Sequence, residues 1–297
     1  MKALIAGWFS FEQMGATAGD LLACDVVCDW LSQAECPYDI ARVKALGEGV
    51  DWQLADPSAY SHVVFVCGPF GNGWPIPEFL ARFRGVRLVG VDLSMLEPLE
   101  QWNPFDLLLE RDSSRLARPD ITFAAASRRV PVVGVILVHP QKEYAVGLHA
   151  VANAAIERLV ASHELSAVRI DTRLDENSTG LRSAAEVESL IARMDLVLTT
   201  RLHGLVLALK HGVPALAIDP IAGGAKIRCQ AETIGWTAVL TAGDLSDERL
   251  EQAFEYCRSE DARVSARECH ARAVQKVGET RDIFLSAFGS RAGTALN

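Results

Sequence analysis

The chain predicts an α/β fold of two Rossmann-like, doubly wound halves followed by a C-terminal helical segment. Three observations predict it. Short runs rich in Val, Ile and Leu alternate with longer amphipathic stretches almost throughout the 297 residues, which is the pattern of parallel sheets flanked by helices. That alternation is interrupted at Ser127-Arg128-Arg129-Val130-Pro131, where two arginines and a proline separate one series from the next. The length also suits two medium domains, since domains usually run to ~100–200 residues. The expected domains are residues 1–127 and 128–297.

The elements follow in order. In the first half, residues 2–6 read as a strand and 19–32 as a helix with Leu21, Leu22, Val26, Trp30 and Leu31 on or near one face. Residues 38–43, 62–67, 87–92 and 105–109 read as further strands, and 121–124 as a short one. The second half opens with the apolar run 132–138 and continues as helix 143–162, strand 167–171, helix 184–193, strand 195–199, helix 202–211 and strand 213–218. Helical stretches at 225–234 and 247–258 precede a long polar helix from 261 to 286. The halves are expected to face each other, with the helical tail packing back on the first.

Composition removes several function classes. With 49% hydrophobic and 23% charged residues the chain can bury a full core. Its longest strongly apolar stretch, 131–138, is far short of the ~20 residues that cross a bilayer. Residues 1–7 form too short an apolar run for a signal peptide, so the expected location is the cytoplasm. Seven cysteines, an odd number without CxxC spacing, read as reduced thiols rather than disulfides or a zinc centre. A net charge of −9 without a basic face argues against a nucleic-acid partner. An anionic substrate would therefore have to be held by local cations.

The residues that offer such a site lie at Thr199-Thr200-Arg201-Leu202-His203-Gly204. Open α/β sheets bind ligands beyond the carboxyl ends of their strands, where loops and helix N-termini converge. Thr200 is the expected N-cap, which puts Arg201, Leu202 and His203 in a first turn whose unpaired N–H groups attract an anion. The Arg201 guanidinium adds bidentate capacity for phosphate or carboxylate, and His203 can carry a proton beside it. The next loop, Asp219 to Lys226, supplies Gly223 and Gly224 for close backbone approach and Lys226 as a second cation. His139 and Lys142, after the run 132–138, are further candidates at the same edge. The acids of residues 171–176 read as a solvated loop, and no metal is expected in the chemistry. Neither GxGxxG in frame nor GxxxxGK[ST] occurs, which disfavours dinucleotide and P-loop chemistry.

Taken together, Gly7 with Gly19-Asp20, the glycine loop 68–73, Glu110-Arg111-Asp112-Ser113 opening a helix, and above all Arg201-Leu202-His203-Gly204 followed by Ala208, Gly212-Val213-Pro214 and Lys226 resemble the polysaccharide pyruvyl transferase family. The resemblance implies a glycosyltransferase-B-like fold and transfer of a pyruvyl group from phosphoenolpyruvate, or another phosphorylated donor, to hydroxyls of a saccharide acceptor. It implies Arg201 and His203 as catalytic residues. Lys226, Thr200, Leu202, Gly204, Gly223, Gly224, His139, Lys142, Asp20, Gly19 and Arg111 follow as substrate-binding candidates. No cofactor is called for. The first half becomes the acceptor side and the second the donor side, and a homo-oligomer is left open. The chain departs from the family pattern at Ala16-Thr17-Ala18, where an asparagine is usual, and at Pro69-Phe70, which break a glycine run. The alternatives are a nucleotide-sugar glycosyltransferase on the same fold, for which Val206-Leu207-Ala208-Leu209 offers no ribose-holding acid, and a non-catalytic ligand-binding relative.

Overall fold

The computed structural model describes residues 1–138, 147–221 and 226–289. The chain divides into two compact units, Met1–Arg128 and Arg129–Asn297. Each is built on a five-stranded parallel sheet, and long helices close the second, so the two Rossmann-like halves expected from the alternation are present.

The first unit contains β1 (Ala3–Gly7), α1 (Ala18–Gln33), β2 (Tyr38–Ile40), β3 (His62–Phe70), α2 (Ile76–Arg82), β4 (Arg87–Met95) and β5 (Leu107–Leu109). The sheet order is β2-β1-β3-β4-β5, so the chain winds outward in both directions from β1. Both faces are buried, which is why the strands read as continuous apolar runs. Leu4, Ala6, Val63 and Phe65 face one cluster, and Ala3, Ile5, Val64 and Val66 the other. The first cluster is aromatic: Phe70 packs at 4.8 Å from both Phe65 and Phe105 and stacks on Trp102 at 5.5 Å.

Three expectations change here. Residues 121–124 form a 3-10 turn capped by Asp120, not a strand. The helix α2 was not foreseen, being only seven residues long, although Ile76 and Phe79 sit one turn apart in the core. Glu110-Arg111-Asp112-Ser113 does not open a helix. The Glu110 carboxylate is fully buried and bonded by Arg115 at 2.8 Å and Arg118 at 2.7 Å, which folds residues 110–118 back on themselves. Asp112 instead bridges Ser94 and Ala117.

The second unit contains β6 (Val132–Ile136), α3 (His149–Ser162), β7 (Ser166–Arg169), α4 (Ala184–Ile191), β8 (Leu196–Thr199), α5 (Leu202–Lys210), β9 (Ala215–Asp219), α6 (Lys226–Ile234), β10 (Val239–Thr241), α7 (Asp247–Arg258) and α8 (Glu260–Gly289). Its order, β10-β9-β8-β6-β7, repeats the first unit's winding. One apolar cluster joins both faces to α7 and the first turns of α8. The short strand β10 was not foreseen. The helix expected over 143–162 begins at His149, because Gly147 bridges Ile221 and the Leu148 N–H donates to Pro220 O at 2.7 Å. Residues 143–146 lie outside the described residues.

Candidate active site

In a sheet wound outward from one strand, the crevice opens where the winding reverses, because neighbouring loops there leave in opposite directions. In the second unit that point lies between β6 and β8. Thr199 ends β8 opposite Ile136, and the Thr200 N–H donates to Ile136 O at 3.1 Å. The Arg-Leu-His segment leaves the sheet there.

Thr200 does not cap α5. Its buried hydroxyl accepts from the Val138 N–H at 2.8 Å and donates to Asn153 Oδ1 at 2.8 Å, and the Asn153 amide donates to Val138 O at 3.0 Å. With both hydroxyl roles taken by β6 and α3, the N-cap passes to Arg201, whose extended backbone places Leu202 as the first helical residue. Thr199 Oγ1 accepts from the Arg201 N–H at 2.9 Å and fixes the turn. The Arg201 side chain makes no capping bond to α5. Its first-turn N–H groups and the positive end of its dipole are thereby offered to a ligand.

The Arg201 side chain, 14% exposed, reaches past β6 to the end of β7. There Nη1 donates to Asp171 Oδ1 at 3.3 Å and to Thr172 Oγ1 at 3.0 Å. The expectation of a solvated 171–176 loop is therefore wrong for Asp171, which is buried. Burial alone would raise its pKa. The Arg173 and Ser178 backbone N–H groups, the Ser178 hydroxyl and the Arg201 charge outweigh that and hold it below the ordinary aspartate range. Arg201 is thus oriented by a charged partner thirty positions away in sequence.

Leu202 is partly buried against the core, whereas His203 is exposed in the first turn. Gly204 is set by packing. A Cβ there would lie 2.2 Å from Thr199 Oγ1 and 3.2 Å from Ile136 Cγ2, so only glycine lets α5 approach β6 and β8 this closely. Lys226 opens α6 from the next strand, β9, which pairs with β8. The buried Asp219 accepts from the Ile221 N–H with Oδ1 and from the Arg228 N–H with Oδ2, both at 3.1 Å, and so ties α6 to the end of β9. Thr200, Arg201, Leu202, His203, Gly204 and Lys226 all stand at the carboxyl edge of two adjacent strands. His139, Lys142, Gly223 and Gly224 lie outside the described residues.

The first-unit candidates stand on separate elements. Gly19 is in the first turn of α1, and Asp20 closes a capping box, its Oδ2 accepting from the Thr17 N–H and hydroxyl at 2.7 Å each. Arg111 is held by Asp120 at 3.0 Å and donates to Ser94 Oγ at 2.6 Å. Gly68, at φ 84°, lies within β3 beneath the Trp8 indole, where a Cβ would fall 2.3 Å from the ring. The Trp8 indole N–H donates to Pro69 O at 3.0 Å. Trp8, Asp20 and Pro69 line a groove of about 380 Å³, and a second groove of about 910 Å³ is lined by Arg42, Lys44, Asp51, Trp52, Gln53 and Trp74, among others. Asp171, Asn153 and Asp219 were missed by the sequence reading. Their positions just past β7 and at the end of β9 are the signal that marks two of them; Asn153, inside α3, carries none.

Among the described residues two groups have metal-ligating atoms in reach of one another, Cys67-Asp92-Asp120 and His163-Glu251-Glu255, and neither includes Arg201 or His203. No helix among the described residues is long and apolar enough to cross a membrane.

No curated protein matches the sequence significantly. Solved structures similar to the chain include the calicheamicin glycosyltransferase CalG4, at 13% identity over 99% of each chain with a TM-score of 0.37. The UDP-GlcNAc 2-epimerase of Methanocaldococcus jannaschii is 12% identical over 94% of this chain and 100% of its own, with a TM-score of 0.32. The spinosyn rhamnosyltransferase SpnG is 13% identical over 92% of this chain and 96% of its own, also at 0.32. The family whose model matches the chain is polysaccharide pyruvyl transferase, over residues 119–220, a stretch that contains Asp171, Arg201 and His203 and ends just before the loop to Lys226.

Proposed function

We propose that the chain is a pyruvyl transferase-like enzyme that moves the pyruvyl group of phosphoenolpyruvate onto two hydroxyls of a saccharide, forming a ketal and releasing phosphate. The observation that carries this reading is the winding reversal of the second unit. There an uncapped helix start, an arginine oriented by a buried aspartate and an exposed histidine stand together inside the stretch matched by the family model.

The donor brings a phosphate and a carboxylate. The first-turn N–H groups of α5 and the Arg201 guanidinium suit one anionic group, and Lys226 at the start of α6 suits the other. His203, in the same first turn, delivers a proton to the methylene carbon. The neighbouring carbon gains oxocarbenium character, one acceptor hydroxyl bonds to it, and the second displaces phosphate. One hydroxyl proton replaces the proton spent by His203, and the other leaves with phosphate, so the reaction balances without an oxidant or a metal.

The second unit acts as the donor side and the first as the acceptor side. The larger first-unit groove supports that division, since the exposed Trp74 offers an indole face and Arg42, Asp51 and Gln53 offer hydrogen bonds to ring hydroxyls. The test is release of inorganic phosphate from phosphoenolpyruvate on adding a panel of saccharides, with donor affinity read by calorimetry. Donor binding with saccharide-dependent phosphate release is the expected result. A chain that binds a nucleotide sugar and not phosphoenolpyruvate would overturn the reading.

A further inference from the structure

A second cluster of chemistry-bearing groups stands at the carboxyl edge of the first sheet, and the proposed transfer does not use it. Cys67 on β3 and Asp92 on β4 face each other across the ladder, between the pairs Val66↔Val91 and Gly68↔Leu93. Asp120, which caps the turn 121–124, brings a second carboxylate beside the first, because the Ile121 N–H donates to Asp92 Oδ1 at 3.2 Å. The Cys67 sulfur and one oxygen from each aspartate all lie within 4.8 Å of one another.

Three features make this more than a group of neighbours. Asp92 is 1% exposed, and its Oδ2 is buried without a hydrogen-bond partner. A buried carboxylate oxygen is costly to leave in that state, so its position asks for a cation or a proton. Cys67 and Asp92 also both adopt left-handed backbone, at φ 62° and 58°. Outside glycine such a conformation is strained and persists where surroundings enforce it. Finally, acids outnumber bases around the cluster. Arg111, 3.0 Å from Asp120 and 3.9 Å from the Cys67 sulfur, is shared with Asp112 at 3.4 Å, and the charge of Asp20 also acts on Cys67, so the cluster carries an excess of negative charge that a divalent cation would offset.

We propose that Cys67, Asp92 and Asp120 bind a divalent transition-metal ion of the zinc class, in a buried site that joins the kinked ends of β3 and β4 to the segment at Asp120. A thiolate with two carboxylates suits a borderline ion better than magnesium or calcium, which prefer oxygen alone. As the metal–sulfur bond forms, the thiol proton leaves to solvent. The site is separate from the transfer chemistry, and its role is to stabilise the first unit.

Cobalt(II) titrated into the chelator-stripped, reduced 297-residue chain reads the site directly. The expected result is a near-ultraviolet thiolate-to-cobalt absorption saturating at one equivalent and absent from Cys67→Ser. Asp92→Asn keeps the side-chain volume and should weaken cobalt binding by roughly tenfold or more. Zinc at a fixed concentration should raise the melting temperature of the parent clearly more than that of Asp92→Asn. No thiolate absorption, an absorption that survives Cys67→Ser, or Asp92→Asn binding like the parent would each overturn the proposal. The last outcome would mean that Asp92 holds a proton shared with Asp120 instead.

Discussion

At the scale of single residues, the candidate site rests on a division of labour between Arg201 and His203. Arg201 is 14% exposed and paired with Asp171, whereas His203 lies open in the first turn of α5. Arg201→Ala should therefore weaken phosphoenolpyruvate binding by about 1.5–3 kcal/mol, the worth of hydrogen bonds to a charged group, as read by calorimetry. It should also lower the melting temperature, because Asp171 loses a charged partner in a buried setting. His203→Asn keeps polarity but cannot pass a proton. Donor affinity should hold while single-turnover phosphate release slows by ~10²–10⁴. A parental rate in that variant would remove His203 from the mechanism. The Arg-Leu-His segment was legible because everything that marks it is local: a strand end, a helix start and a cation. Asp171 was not, because its importance depends on β6 lying between β7 and β8, a spatial order that does not follow the sequence.

At the scale of elements, two contacts decide what a segment becomes. Gly204 reads in sequence as part of a binding motif, yet its closest constraint is steric. Alanine normally favours a helix over glycine by ~1 kcal/mol. Here the added Cβ meets Thr199 Oγ1, which holds the Arg201 N–H, so Gly204→Ala should instead destabilise the chain by about 1–3 kcal/mol in denaturant unfolding. The Glu110 segment is the second case. Four residues with helix-start character form a loop because a fully buried carboxylate recruits Arg115 and Arg118 from further along the chain. Burial pushes the Glu110 pKa up, but the bonds from Arg115, Arg118 and Ser113 outweigh it and hold it at about 2. A pKa depressed on folding adds stability that is complete above the unfolded value of 4.5 and is lost as pH falls from there through about 2. Glu110→Gln should flatten the stability profile across that window, by ~1–3 kcal/mol between its ends. An unchanged slope in urea unfolding series would show that the pair carries no linkage.

At the scale of the molecule, the alternation of strands and helices made both sheets readable, since strands buried on two faces are apolar throughout. What the pattern left out was short or non-local: the seven-residue α2, the three-residue β10, and the ligand-sized groove assembled from several loops of the first unit. The repeated winding of the two sheets nevertheless makes a claim that reaches beyond any one residue. If the second unit is the donor side, phosphoenolpyruvate at ~100 times its dissociation constant should stabilise the native chain by ~2.7 kcal/mol. The added protection against amide hydrogen exchange should then be uneven. It should concentrate at the start of α5 and residues 171–179, which Arg201 and Asp171 tie together, and at the first turn of α6, which Asp219 holds to the end of β9. The strands of the first sheet should gain little if the second unit alone holds the donor. Saccharide acceptor added alone should produce the complementary pattern around Arg42, Trp52 and Trp74. Protection by phosphoenolpyruvate centred on the first unit would reverse the assignment of donor and acceptor sides, whatever the outcome for His203.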